Sequence, residues 1–196
     1  MTENTHERVA WAVRIALGLA VAFSVAFPGL PQFEGKGMAF RAPFYLLPLI
    51  VVPVVWRVRG RLAPYPHLVD ALVVSPFLVD TLGNALNFYD TFSSTDDVLH
   101  FVNWVLLVGG ITLALRRTTL PPLAIWTTAY GLGGLAIIWW EAAEWLVQEL
   151  GTAGLGLTYG DTIGDLLLSS TGGAVGAALA LRFGSRRTVP PDVAAS

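Results

Sequence analysis

Long apolar stretches separated by short polar connections occupy most of the chain. Six of them, 9–27, 39–56, 68–88, 97–115, 123–148 and 162–183, meet or approach the roughly 20 residues a helix needs to cross a hydrocarbon core of about 30 Å. They are continuous runs and not alternating ten-residue segments, so the pattern predicts membrane helices and not a membrane β-barrel. Pro43, Pro48 and Pro53 interrupt the second run. Proline is tolerated in a membrane helix where neighbours satisfy the carbonyls it frees, and a kink is expected there. The fold class this implies is all-α: a polytopic six-transmembrane-helix bundle with both termini cytoplasmic. Residues 1–184 would form one transmembrane domain. Residues 185–196, with Pro190 and Pro191, read as a disordered cytoplasmic tail.

Composition agrees with the pattern. Of 196 residues, 54% are hydrophobic and 13% charged, against about 25% charged in soluble domains, and the mean hydropathy is +0.61. These values exclude a nucleic-acid binder, a disordered chain and an ordinary water-soluble enzyme. The absence of cysteine excludes disulfides and thiolate metal sites.

Charge placement adds an orientation, since Lys and Arg accumulate on the cytoplasmic side. With both ends inside, Arg8, Arg14, Arg57, Arg59, Arg61, Arg116, Arg117, Arg182, Arg186 and Arg187 are cytoplasmic, and only Lys36 and Arg41 are outside. Arg14 is expected to snorkel from an uncleaved first helix to the inner surface. Cleavage after Ser24-Val25-Ala26, which would remove residues 1–26, is the alternative. Ten of the fourteen carboxylates fall in outer loops or outer helix halves, so a net charge of −2 conceals a chain that is basic inside and acidic outside.

Helical spacing gathers those acids. Asp80, Asn84 and Asn87 follow i, i+4, i+7 on the third helix. Asp96 and Asp97 precede His100 by four and three residues on the fourth, and Asn103 continues that face. Glu141 and Glu144 share a face of the fifth with Gln148, and Asp161 and Asp165 are one turn apart on the sixth, above Ser169. At 1.5 Å per residue, His100 and Asp165 lie about one turn below the outer interface and Asp80 about two. Asp96, Asp97 and Asp161 are also placed to act as helix N-caps, Asp70 as a simple N-terminal charge of the third helix. Trp140 and Trp145 suit an interfacial belt. The Gly172/Gly176 spacing suits close helix packing, with Gly131, Gly133 and Gly134 as partners.

Several carboxylates this close share protons, pair with a base or bind a cation. Lys36 and Arg41, at the first outer loop, are the only bases in reach. A cation is the economical reading, with Asp97, His100, Glu141, Glu144, Asp161 and Asp165 as ligands. Oxygen-rich ligands with one imidazole suit Mg, Mn, Ca or Zn. Asp80, Asn84, Asn87, Asp96 and Gln148 would form a second shell or an ion path.

The pattern also resembles a known family. It consists of Asp97-Val98-Leu99-His100-Phe101, then Glu141-Ala142-Ala143-Glu144-Trp145, then Asp161-Thr162-Ile163-Gly164-Asp165 running into Gly172-Gly173-Ala174-Val175-Gly176. Over roughly residues 80–180 this looks like the YjdF-like family of uncharacterised bacterial inner-membrane proteins. More distantly it is similar to the VanZ-like proteins linked to glycopeptide resistance, which typically carry Gln at the position of Glu144 and Asn at that of Ser169. The resemblance implies a multi-pass protein of the bacterial cytoplasmic membrane and supports treating the polar residues as one site.

Two functions fit. One is a metal-dependent membrane hydrolase or transferase acting at the outer leaflet on a lipid or lipid-linked phosphate, with Glu141, Glu144 and His100 as catalytic groups. The other is a small transporter or ion-binding protein using Asp80 as an inward path, with a structural subunit of an envelope complex behind both. Membrane lipids are the expected partners, nucleic acid is not, and the protein would be a monomer or homodimer.

Overall fold

A computed structural model of the protein describes residues 3–61, 64–151 and 157–184. The helices are α1 (Glu3–Ala26), α2 (Met38–Leu46), α3 (Pro48–Val58), α4 (His67–Ala85), α5 (Phe88–Thr91), α6 (Thr95–Leu115), α7 (Pro122–Glu149) and α8 (Tyr159–Phe183). Among the described residues six segments are long and apolar enough to cross a membrane, with α2 and α3 together making one of them, and there is no strand. The tail 185–196 lies outside the described residues.

Connectivity places the ends of α1, α4 and α7 beside the starts of α2, α6 and α8. This is the acidic end of the bundle. The opposite end carries Arg57, Arg59, Arg61, Arg116, Arg117 and Arg182. There Arg116 donates to the carbonyls of Leu181 and Gly184, and Arg117 to that of Pro64.

α6 is central and packs against α4, α7 and α8, while α1 lies on α4. The tightest seam is α6 on α8. A methyl group on Gly172 would overlap the carbonyl oxygen of Phe101, and one on Gly176 that of Val105. The small-residue spacing on α8 therefore serves packing within the chain, as expected, but its partner is α6 and not the Gly131–Gly134 region of α7. A side chain on Gly131 or Gly134 would meet nothing within 4 Å, and Gly133 faces Val108 of α6.

The proline-rich span is interrupted where the kink is expected. It divides at Leu47, which keeps helical dihedrals while Pro48 starts α3. Pro53 has no N–H to give to the carbonyl of Leu49. Arg14 Nη2 supplies the missing donor at 2.6 Å. Its Nη1 holds both oxygens of Asp70 at 2.8 and 3.0 Å. Arg14 thus does not simply snorkel, and Asp70, 1% exposed, is not a solvated N-terminal charge. The two form a pair that joins α1, α3 and α4, because a buried acid needs a partner and a proline frees an acceptor beside it.

The α6–α8 seam yields a stability prediction. Gly172→Ala should lower the unfolding midpoint of the detergent-solubilised protein, with a cost of about 1–3 kcal/mol for overpacking against backbone. Gly131→Ala should leave it unchanged or raise it. Equal behaviour of the two variants would contradict the seam.

Candidate functional site

The acidic end is assembled by helix termini and by a loop that folds back onto them. Residues 27–37 bury Phe33 and Lys36, at 2% and 6% exposure. Gly37 then takes a left-handed φ of 61°, which glycine adopts without a side-chain penalty, and the chain turns directly into α2. Arg41 therefore sits in the first turn of α2, inside the bundle and not in the loop. It is 7% exposed.

Arg41 Nη2 donates to Glu144 Oε1 at 2.8 Å and lies 3.7 Å from Asp80 Oδ2. Its guanidinium stands over the rings of Tyr45 and Trp140, which stack on each other 5.9 Å apart. The hydroxyls of Tyr45 and Tyr89 both donate to Asp80. Burial, with the adjoining Asp80 carboxylate, raises the phenol pKa of Tyr89 well above its ordinary value. At the rim Lys36 Nζ meets Asp90 Oδ2 at 2.9 Å. Trp140 is consequently an interior residue and not a belt residue, whereas Trp145 is 58% exposed as the belt requires.

The second half of the site lies across α6 and α8. His100 Nε2 is 3.6 Å from Asp96 Oδ1 and 3.7 Å from Asp165 Oδ1, and its Nδ1 is 3.1 Å from Ser169 Oγ. The imidazole stacks on Trp104, whose indole N–H donates to the carbonyl of Gly133 at 2.9 Å. Asp96, His100 and Asp165 can each offer a ligand atom within 4.8 Å of the others, and so can His100, Glu141 and Glu144. Atoms bound to one ion at about 2.0–2.6 Å lie no more than ~4–5 Å apart, so both triplets are near ligating geometry. Glu141 is 7% exposed, and both its carboxylate oxygens are buried with no hydrogen-bond partner among the described residues.

Of the expected ligands, the structure brings together His100, Glu141, Glu144 and Asp165, and adds Asp96. It does not bring Asp97 or Asp161 into either group. Asp97 lies about 100° around α6 from Asp96 and is exposed. Asp161 is in the first turn of α8, where Thr158 Oγ1 accepts from its backbone N–H. Thr158 is thus the cap of α8, and Ser94 occupies that position on α6 without a side-chain bond, so neither Asp96 nor Asp161 caps.

The stripe on the third span also changes. α4 stops at Ala85 and Asn87 takes a left-handed φ of 60°, which turns it out of the row, while Asn84 Nδ2 donates to the backbone of Asp80. Asp80 is five residues from the helix end, level with His100 and not a turn deeper. Gln148 accepts from the Leu157 N–H at 3.0 Å and ties α7 to the approach to α8.

Arg41, Tyr45, Tyr89 and Lys36 are the residues that sequence spacing did not assign to the site. A lone arginine four residues before a tyrosine, in an apolar run facing acids on three other spans, was the available signal.

Between the two halves is a cavity of about 220 Å³. It is lined by Lys36, Arg41, Asp80, Tyr89, Asp96, His100 and Glu144 and, one to two turns deeper along their helices, by a largely apolar floor of Pro76, Phe77, Asn103, Trp104, Leu107 and Trp140. Fold and site together define a polytopic α-helical membrane protein with a carboxylate–histidine cavity at one end of the bundle. The chain belongs to the family described as "Predicted membrane protein (DUF2238)", whose model matches residues 8–186. The YjdF-like motifs are consistent with this family, and the match does not show the VanZ-like resemblance. No curated protein and no solved structure matches the chain.

The Tyr89 environment carries a pH dependence. Its raised folded pKa means that the stability contributed by the neutral phenol is complete below the unfolded value of about 10 and is lost as pH rises from there through the folded value. Unfolding midpoints of wild type and Tyr89→Phe should differ at pH 8 and converge above about pH 10. A gap that stays constant or widens with pH would contradict this assignment.

Proposed function

We propose that the protein is a divalent-cation-dependent membrane enzyme, a hydrolase or transferase, whose centre is the cavity at the acidic end and whose substrate is a lipid or lipid-linked phosphate. The observation that carries the reading is Glu141, a buried carboxylate with no partner, beside His100 and Glu144. An ionised acid withdrawn from water without compensation is strongly unfavourable, and a cation bound there removes the cost. The donor set of carboxylates and one imidazole suits Mg, Mn, Ca or Zn. A cation on His100 Nε2 requires the proton on Nδ1, which then donates to Ser169 Oγ. This second contact fixes the ring, as such partners do at metal sites. Ser169 is fully buried with its hydroxyl 3.1 Å from His100 Nδ1, which suits it to orient the ring.

The ion would polarise a phosphoryl oxygen or activate water, with Glu144, which lines the cavity, placed to take a proton. Arg41 and Lys36 supply the basic groups that a phosphate substrate needs and that spacing alone had not placed in the site. The carrier reading is weaker because Asp80 is held by two tyrosine hydroxyls and Arg41. Below Asp80 the cavity lining contributed by α4 is Pro76 and Phe77, so the polar row of that helix does not continue inward along the cavity. The excess of basic residues at that opposite end supports a cytoplasmic placement for it, and the YjdF-like motifs support a bacterial inner membrane.

Titration of the purified protein with Mn²⁺ should show saturable binding. Glu141→Gln should weaken it by at least about tenfold, and Ser169→Ala by roughly tenfold, the size known for outer-shell partners. Absence of binding in the folded wild type would sink the proposal.

A further inference from the structure

We propose that Arg41 forms a phosphate-binding subsite that opens when the cation binds, through transfer of Glu144 from the guanidinium to the ion. This rests on the cation-site reading above and names the chemistry that the same cavity recognises next.

Glu144 is claimed by two positive partners. Its Oε1 accepts from Arg41 at 2.8 Å, and the same carboxylate can offer a ligand atom within 4.8 Å of those of His100 and Glu141. One carboxylate cannot fully neutralise both a guanidinium and a divalent ion. The ion carries the larger charge and has Glu141, otherwise unpartnered, to complete its shell. Once Glu144 turns to the ion, Arg41 retains Asp80 at 3.7 Å, and both oxygens of Asp80 already accept from tyrosine hydroxyls.

The guanidinium is then a buried cation, its side chain 9% exposed, above an apolar floor and facing the cavity. It needs a replacement anion. A planar guanidinium holds phosphate oxygens by paired hydrogen bonds, and the remaining oxygens of the same phosphate face the ion across the cavity. Lys36 stands at the mouth, paired to an Asp90 that is 48% exposed. Water can satisfy that acid, which leaves the ammonium available to an incoming headgroup. The cation thus creates the anion site. By reciprocity of linkage the anion must tighten the cation by the same factor.

The test uses the full chain in detergent and measures the Mn²⁺ dissociation constant at buffered free Mn²⁺. Measurements are made alone, with inorganic phosphate, and with short-chain phosphatidic acid. The wild type should bind Mn²⁺ about tenfold more tightly with a phosphate present. Coupling to both additives assigns the subsite to the phosphate group itself, and coupling to phosphatidic acid alone assigns it to a lipid headgroup; either supports the proposal. Arg41→Lys should still bind Mn²⁺ but lose most of the coupling, because an ammonium lacks the fork. Undiminished coupling in that variant would overturn the assignment to Arg41. Should the variant fail to fold, the wild-type measurement decides alone. Mn²⁺ binding that neither additive alters overturns the subsite while leaving the cation site standing. Absence of Mn²⁺ binding removes both.

Discussion

A guanidinium buried at the acidic end of a helix bundle must be matched by anions, and Arg41 imposes that requirement on everything around it. Its contacts with Glu144 and Asp80 bring α2, α7 and α4 to one point. Tyr45, one turn along α2 from Arg41, and Tyr89, after α4, complete the shell of Asp80 from two further directions. The loop 27–37 has to fold back for α2 to start where it does, which is why Phe33 and Lys36 are buried in a connection that would otherwise be solvated. A buried ion pair adds little net stability over an apolar core, but breaking one is costly. Arg41 therefore acts chiefly as a constraint on which arrangement of the helices is permitted.

The same logic divides the site into a compensated half and an uncompensated one. Asp80 and Asp90 have partners that satisfy them within the chain. Asp96 and Asp165 stand 3.6 and 3.7 Å from a single imidazole, and Glu141, grouped with the same ring, has no hydrogen bond to either carboxylate oxygen among the described residues. Glu144 stands between the halves and belongs to both. At the opposite end Arg14 and Asp70 repeat the compensated arrangement with no cavity residue in common. Arg14 with Asp70 and Arg41 with Glu144 show buried charge paired within the chain, and the cation proposal rests on the contrast with Glu141, whose carboxylate oxygens have no partner among the described residues.

Much of this was legible in the sequence. Apolar run length gave the six spans to within a few residues, since hydrocarbon thickness leaves little freedom. Helical spacing joined Asp96 to His100 and Glu141 to Glu144, because residues three and four apart on one helix must be neighbours. What spacing could not show was the relation between helices. Asp97 and Asp96 are equally plausible partners for His100 until the rotation of α6 against α8 is known, and that rotation follows from Gly172 and Gly176 meeting the backbone of Phe101 and Val105. The depth of Arg41 depends on a left-handed turn at Gly37, which the spacing of residues does not reveal. The i, i+7 spacing puts Asn87 on a helix face because nothing in the run of residues announces that α4 ends at Ala85. The role of Asp70 is hidden because its partner Arg14 lies on a different span and is also held by the Leu49 carbonyl that a proline leaves free on a third.

The central claim is that an ion sits between His100 and the carboxylates at the acidic end. Electron–nuclear double resonance on Mn²⁺ bound to the purified protein tests it most directly. The account predicts hyperfine coupling to one imidazole nitrogen in the wild type, abolished in His100→Gln while the carboxylates still bind the ion more weakly. Bound manganese with no nitrogen coupling in the folded wild type, or nitrogen coupling that survives His100→Gln, would contradict it.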